Sequence, residues 1–583
     1  MRAGFVLLVG CATSDPLDRD EAVVQDDDND DAIEPYLPDA EPIRSVPVYG
    51  GTLESAPGIG GVVAADPEGN SLLRVVGDEV VAIDLGHNAR PFRVLVEGTR
   101  AWVTLRGTGE LAAIGLATST VEWRSRICLE PRGVARSPAG PLVVACAGGE
   151  LVELTDDGEI LRLTIVDSDL RDVVAMWDDL LVSRFASAEV LLIDPATLTA
   201  TARTSLGEDA GVAWRMRLQD GRLMVLHQTR PRDLIELEVD VEDTGDDGES
   251  SYGADGCSGR TVDTVLTEVL SPGEVQRTTL EGVTLGTDFV VTEPGQVAVA
   301  DAGAPEDGDG ILRFDVHLQR SCATANLDRT VATRGRPSAL AIDPEGELLL
   351  QSVSPLSIAR AEDHGVLLQR RADSSTGDVE LFHTATDAGV SCASCHPEGL
   401  DDGHVWTFFT QDAPAFARRT MPLAGGILSR LPYHWDAVHE DPDALMADTF
   451  VSRMGGSTDP VTTASLFAWL DGLRHVRAHP WAPASAIEIG RAAFTKAGCE
   501  GCHSGASFTS NTIESIGRDG VDAVKVPSLL GVGVRDRLLH DGCYVDLHAR
   551  FVGGCRVWGD THGSVSRLTS HEIEALEAYV RTL

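Results

Sequence analysis

Lysine is almost missing from this chain of 583 residues: Lys496 and Lys525 are the two present, and arginine supplies the rest of the basic charge. Acidic residues outnumber basic ones 91 to 47, giving a formal net charge of −44. A surface of that sign repels phosphate backbones, so no nucleic acid partner is expected. Long apolar runs are also lacking. After a short apolar start, no stretch approaches the roughly 18 residues of a membrane-spanning helix. What is present suffices for real cores: 43% of residues are hydrophobic and 24% charged, which excludes a wholly disordered or fibrous chain. At about 150 residues per domain the length predicts three to four domains, fewer if one is a large all-β unit.

The first ten residues read MRAGFVLLVG, with Arg2 as a positive start and Phe5–Val9 as an apolar stretch. Leu8-Val9-Gly10-Cys11 resembles a bacterial lipobox. In lipoproteins of that type the chain is cut before the cysteine, so the resemblance implies a signal peptide over 1–10 and lipidation of Cys11. An ordinary signal peptide and a misplaced start codon are the alternatives. The expected location is the cell envelope, periplasmic or anchored at the outer membrane, with the lipid as the one membrane contact. Residues 11–45 read as an acidic tether. Within them, 15–41 hold twelve Asp or Glu against one Arg, and like charges at that density bury no core.

Cysteine usage divides cleanly. Cys11 is the lipid candidate, and Cys392, Cys395, Cys499 and Cys502 belong to two CxxCH motifs. Six remain, and their order along the chain suggests the pairs 128–146, 257–322 and 543–555. That even remainder fits an oxidising compartment, with buried free thiols as the alternative.

From 46 to 370 short apolar runs are broken by Gly, Asp, Pro and Asn. Anchors at Trp102, Leu142, Leu180 and Leu223 are spaced by 40, 38 and 43 residues. A period near 40 with several strands per repeat predicts an all-β propeller. Weaker anchors at Leu72, Val297 and Leu348 bring it to about seven blades, and an acidic insertion around 236–260 reads as a surface loop. The texture resembles the YVTN/WD40-like propellers of exported bacterial proteins. His87, His227 and His317 are scattered through it and read as ordinary histidines.

Two motifs carry the chemistry: Cys392-Ala393-Ser394-Cys395-His396 and Cys499-Glu500-Gly501-Cys502-His503. CxxCH reads as c-type haem attachment, because two thiols three residues apart can form thioethers with the haem vinyl groups and the next imidazole can ligate the iron. The cofactor-binding residues are then Cys392, Cys395, His396, Cys499, Cys502 and His503, for two covalently bound haems. A four-thiolate zinc site is the competing reading.

Around these motifs, residues 376–583 resemble the di-haem cytochrome c peroxidase/MauG family. The resemblance rests on Ser391–Pro397, Asp402-Gly403, Pro432-Tyr433-His434-Trp435-Asp436, Arg453-Met454-Gly455-Gly456, Gly490–Phe494, Val526-Pro527-Ser528-Leu529, His540-Asp541-Gly542 and Leu568–Glu572, in the family's order. It implies two all-α cytochrome c-like domains, 376–480 and 485–583. It also implies a haem at His396 that meets hydrogen peroxide and a haem at His503 that receives electrons from a small cytochrome or cupredoxin. Met454 falls near the family's distal acidic residue, so His396, His434 and Met454 form the candidate catalytic set, with His404 as another distal candidate. The family's usual methionine ligand beyond HDG is absent, which leaves His562, His548 or no side chain at all as the sixth ligand of the second iron. The candidate metal ligands are therefore His396, His503, Met454 and His562. Arg535-Asp536-Arg537-Leu538 replaces the Thr-x-Pro of the family's calcium site, so calcium is not expected. Trp406 and Trp435 are candidates for assisting electron transfer. Two other functions stay open: MauG-like oxidation of a protein held by the propeller, and a non-enzymatic electron carrier or binding module.

Overall fold

Aliphatic and β-branched runs separated by glycine- and aspartate-rich turns form strands, and their pairing builds seven sheets, antiparallel except for the edge strand Cys322–Thr324, arranged as the blades of a propeller. The fold comes from a computed structural model. It describes residues 45–583 except 220, 231–234, 237–259, 306–308, 317–320, 327–330, 333–334, 363–364, 371–375, 411–412, 479–481, 517–522, 554 and 556–561. Cys11, His317 and most of the acidic insertion lie outside the described residues.

The first strands of the blades are Leu53–Ala56, Pro91–Glu97, Pro131–Arg136, Leu170–Met176, Ala210–Gln219, Gly286–Glu293 and Arg336–Ile342. First and second strands such as Pro131–Arg136 and Leu142–Cys146 are largely buried, whereas last strands such as Thr120–Arg126 alternate exposed and half-buried positions, as an outer rim must. The anchors Trp102, Leu142, Leu180, Leu223, Val297 and Leu348 all fall on second strands, and Leu72 on a third. The repeat was legible because it marks the same strand in successive blades.

Every blade draws its four main strands from one continuous stretch of chain, so the ring closes by packing. Leu53, Val62 and Leu73 of the first blade share a core with Ala339, Leu349 and Ile358 of the last. Thr52 Oγ1 donates to Gln351 Oε1 at 2.9 Å, and Gln351 Nε2 donates to the Ala65 carbonyl at 2.8 Å. Cys128 and Cys146 are bonded, as are Cys543 and Cys555. Cys322 is also in a disulfide; its expected partner Cys257 lies outside the described residues.

The C-terminal third contains seven α-helices among the described residues: α1 (Thr376–His383), α2 (Cys392–Cys395), α3 (Pro442–Leu445), α4 (Pro460–Asp471), α5 (Ala484–Lys496), α6 (Leu547–Val552) and α7 (Ser570–Arg581). It is not wholly helical, in contrast to the expectation. Val405–Thr410 pairs with Ala413–Arg419, and Ile513–Ser515 with Ala523–Lys525. The sequence Val405-Trp406-Thr407-Phe408-Phe409 is β-branched and aromatic, which suits a pleated surface better than a helix. Ile235–Glu236, at the start of the expected acidic loop, adds a parallel strand to this hairpin. Helices α5 and α7 cross closely at Gly490, where a Cβ would lie 2.0 Å from the Ala575 carbonyl oxygen.

The propeller axis is filled with arginine. Arg93, Arg132, Arg171 and Arg215 stand on the first strands of four successive blades. Arg93 pairs with Asp172 at 2.6 Å, Arg132 with Asp169 at 2.7 Å, and Arg217 with Asp288 at 3.2 Å. Glu398, two residues beyond His396, enters this cluster from the C-terminal third. It meets Arg171 at 2.5 Å and Arg106 at 2.7 Å and is 5% exposed. Its backbone is left-handed, at φ 56. Burial pushes its carboxyl upward, but Arg106 and Arg171 outweigh that and hold it at about 2.

A group depressed from 4.5 to about 2 stabilises the fold fully above its unfolded value and loses that contribution as the pH falls toward 2. Glu398→Gln leaves the buried Arg171 guanidinium without its carboxylate, while Arg106 keeps Glu130, and is expected to cost about 3–5 kcal/mol at pH 7. Urea denaturation should show this gap from wild type narrowing as the pH is lowered from 4.5 toward 2; a gap independent of pH would contradict the assignment.

Candidate functional site

In the first CxxCH motif, α2 is a single helical turn. Ser391 precedes it, and its backbone N–H donates to Ser394 Oγ at 3.1 Å. The turn carries Cys392 and Cys395, and His396 N donates to the Cys392 carbonyl at 2.8 Å. In the second motif Cys499–Gly501 form a 3₁₀ turn, and His503 N donates to the Cys499 carbonyl at 2.9 Å. The two motifs thus close with the same backbone bond.

The rings are held alike as well. His396 Nδ1 lies 3.3 Å from the Leu400 carbonyl oxygen and His503 Nδ1 lies 3.1 Å from that of Phe508. A proton on Nδ1 satisfies each carbonyl and leaves Nε2 as the ligating atom, an arrangement that fixes the ring and raises its basicity toward a metal. Burial pulls both imidazoles below the ordinary histidine value, so each is neutral near pH 7. The four cysteines are unbridged, and burial pushes the Cys392 thiol up to about 12.

Both motifs open onto one cavity of about 630 Å³, lined by all four cysteines and both histidines, a size usual for cofactor sites. Apolar walls come from Phe382, Leu466, Phe467 and Phe494. The charged lining is the reverse of the protein as a whole: Arg418, Arg419, Arg430, Arg453, Arg535, Arg550 and Lys525 against Asp436 and Glu514. Lys525, one of the two lysines, is 3% exposed and donates from Nζ to the Arg430 carbonyl. Burial, with Arg430 nearby, lowers it to about 8. A cationic, apolar-walled cavity beside paired thiols suits a flat apolar group bearing carboxylates.

His562 lines the same cavity, and its ring centre lies 6.2 Å from that of His503, with the planes inclined at 44°. Two imidazoles that bind one metal through bonds of about 2.0–2.1 Å have ring centres roughly 6 Å apart. Burial, then Arg550 and His503, depress His562 to about 3. His548, the other candidate, is 62% exposed on its side chain and pairs with Glu577 at 3.0 Å. It sits on α6 and does not line the cavity.

The same cavity wall includes Met421, His434 and Met454. Met454 ends a π-helical stretch, Met446–Arg453, and its N–H donates five residues back to the Thr449 carbonyl at 3.1 Å; such stretches are rare and frequent at functional sites. His434 has φ 66, and burial, then His439, pulls it down to about 4. It is therefore neutral near pH 7. His404 stacks edge-on against Trp406 at 4.7 Å and does not line the cavity.

The two CxxCH segments meet at Trp435. Its indole Nε1 donates to the Arg419 carbonyl at 2.7 Å, its own carbonyl accepts from Lys525 N at 2.7 Å, and its ring stands edge-on to His540 at 6.1 Å. The loop after His396 is tied to the propeller by Arg230–Asp402 at 3.1 Å as well as by Glu398. Asp536, in the stretch compared with a calcium site, faces Arg184 of the propeller. Among the described residues, one group of three or more His, Cys, Asp or Glu side chains is close enough to share an ion, and it is His434, His439 and Asp448, without a cysteine.

Sequence reasoning missed Glu398, Lys525 and the axial arginines. Arg93, Arg132 and Arg171 recur every 39 residues, a signal in phase with the blades that could have marked the axis.

No protein-family model and no curated protein matches the chain. Solved structures do. Hydrazine synthase of Kuenenia stuttgartiensis is 14% identical, with 56% of this chain and 99% of that chain covered and a TM-score of 0.42. A streptogramin B lyase is 12% identical over 53% and 92% of the two chains, with a TM-score of 0.38. A virginiamycin B lyase from Staphylococcus aureus is 12% identical over 55% and 93%, with a TM-score of 0.36. The propeller assignment itself rests on the strand pairing given above.

Trp435→Phe removes the donor to the Arg419 carbonyl and part of the cavity wall. It is expected to cost about 1–3 kcal/mol by urea denaturation while leaving the far-ultraviolet dichroism unchanged. An unchanged midpoint would show that the contact between the two motifs does not depend on this indole.

Proposed function

We propose that the chain is an exported c-type redox protein with two covalently bound haems, one on each CxxCH motif, that reduces hydrogen peroxide with electrons from a donor protein. The observation that carries this reading is the pair of CxxCH motifs opening on one cavity, each with its histidine Nδ1 held by a backbone carbonyl. The residues present fit haem on further grounds. The thiols are unbridged, the walls are apolar, and the cationic lining suits propionates in an otherwise acidic protein. When bound, haem iron supplies the electron-accepting and peroxide-reducing chemistry.

The chain's own residues divide the work. His396 and His503 would ligate the two irons, with ring orientation fixed through Nδ1. His562, whose ring faces that of His503, would close that site against exogenous ligands, as an electron-entry site requires. Met454, on the wall of the same cavity, would be a displaceable ligand for the iron held by His396, and the neutral His434 imidazole would offer a lone pair from that wall. Trp435 spans the two halves and is the packed route between them. The acidic surface favours a basic donor, such as a small cytochrome or cupredoxin. Export, with Cys11 lipidated, belongs to the same proposal and is supported by the disulfides at 128–146 and 543–555.

Expression with cytochrome c maturation should give an intact mass with two haem additions and a Soret band. His562→Ala should convert one low-spin signal to high-spin in the paramagnetic resonance spectrum and leave the mass unchanged. Steady-state peroxide consumption with reduced cytochrome c tests the activity. Loaded protein that neither binds nor consumes peroxide in any redox state would reduce the proposal to an electron carrier, and a mass without haem would remove it.

A further inference from the structure

The loop Tyr433–His439 closes on itself, with Tyr433 N donating to the His439 carbonyl at 2.8 Å. This closure brings the His434 and His439 rings edge to face, 4.6 Å between centres. The π-helical stretch places Asp448 against the same pair: His439 Nε2 and Asp448 Oδ2 are 3.2 Å apart. Both atoms are buried and neither completes a well-formed hydrogen bond. One ligand atom from each of the three residues lies within 4.8 Å of the others.

We propose that His434, His439 and Asp448 bind a divalent first-row metal ion of the zinc class, at the wall of the cavity but separate from the CxxCH motifs. Two imidazoles and one carboxylate are a borderline donor set that suits zinc and its neighbours and leaves a coordination position open. Atoms that share such an ion stand about 3–3.5 Å apart, so the His439–Asp448 pair, at 3.2 Å, is already in place, and His434 needs only a small approach. Arg453 donates to Asp448 Oδ1 at 3.0 Å, which orients the carboxylate; it also lies 2.8 Å from Oδ2, and an entering cation displaces that contact. The ion would fix the His434 ring against the cavity. None of this depends on haem.

The test is zinc uptake by the purified full-length protein after chelator treatment. Free zinc would be set by a competing chromophoric chelator, with zinc and iron counted separately by mass spectrometry. Wild type should bind one zinc. His439→Ala and Asp448→Asn should each weaken uptake at least about 100-fold, and the surface control His548→Ala should not. His439→Gln preserves side-chain bulk in case the alanine variant does not fold, and thermal melts check each protein. No stoichiometric zinc in wild type, or uptake unchanged in folded His439 and Asp448 variants, would overturn the proposal.

Discussion

Glu398 joins the two halves of the molecule. A carboxylate two residues from the first motif histidine is inserted into the arginine-filled axis of a propeller, where Arg106 and Arg171 meet it from two different blades. Removing charges from water is costly, and such a cluster persists only when every guanidinium finds an acceptor and every carboxylate a donor. The C-terminal third supplies an acceptor that the axis needs. The propeller in return fixes the loop that carries His396, with Arg230–Asp402 as a second tie.

This exchange explains why a seven-bladed scaffold stands next to paired thiols. A haem c attached as proposed would need little core of its own because it would be bonded to the chain, but the histidine holding it must be oriented. Here the orientation comes from short turns and backbone carbonyls, and the turns are braced from outside by buried ion pairs. The cavity also needs a charge sign that the rest of the chain avoids. Its cations are kept by burial and by carbonyl acceptors such as that of Arg430, which Lys525 reaches.

The histidines divide by environment rather than by spacing. His562 faces His503 across a distance suited to one metal, while His548, closer to HDG, lies on a surface helix with Glu577. His434 is drawn toward His439 and Asp448. His227 is buried in its blade, bonded to Thr267 at 2.7 Å and depressed to about 3 by burial, a core histidine as its isolation in the sequence suggested.

Local chemistry was written in the sequence. CxxCH fixes two thiols and an imidazole on one turn because the residues are covalently adjacent, and the forty-residue period fixes the blades because each repeat pairs with itself. The disulfides 128–146 and 543–555 followed from order alone. Tertiary structure decided what depends on residues far apart: that both motifs share one cavity, that His562 rather than His548 meets His503, and that Glu398 ends among arginines from the propeller. It also turned Val405–Thr410 and its partner into a hairpin where helices were expected. Those outcomes depend on long-range packing and on burial of charge, and neither has a signature in local spacing.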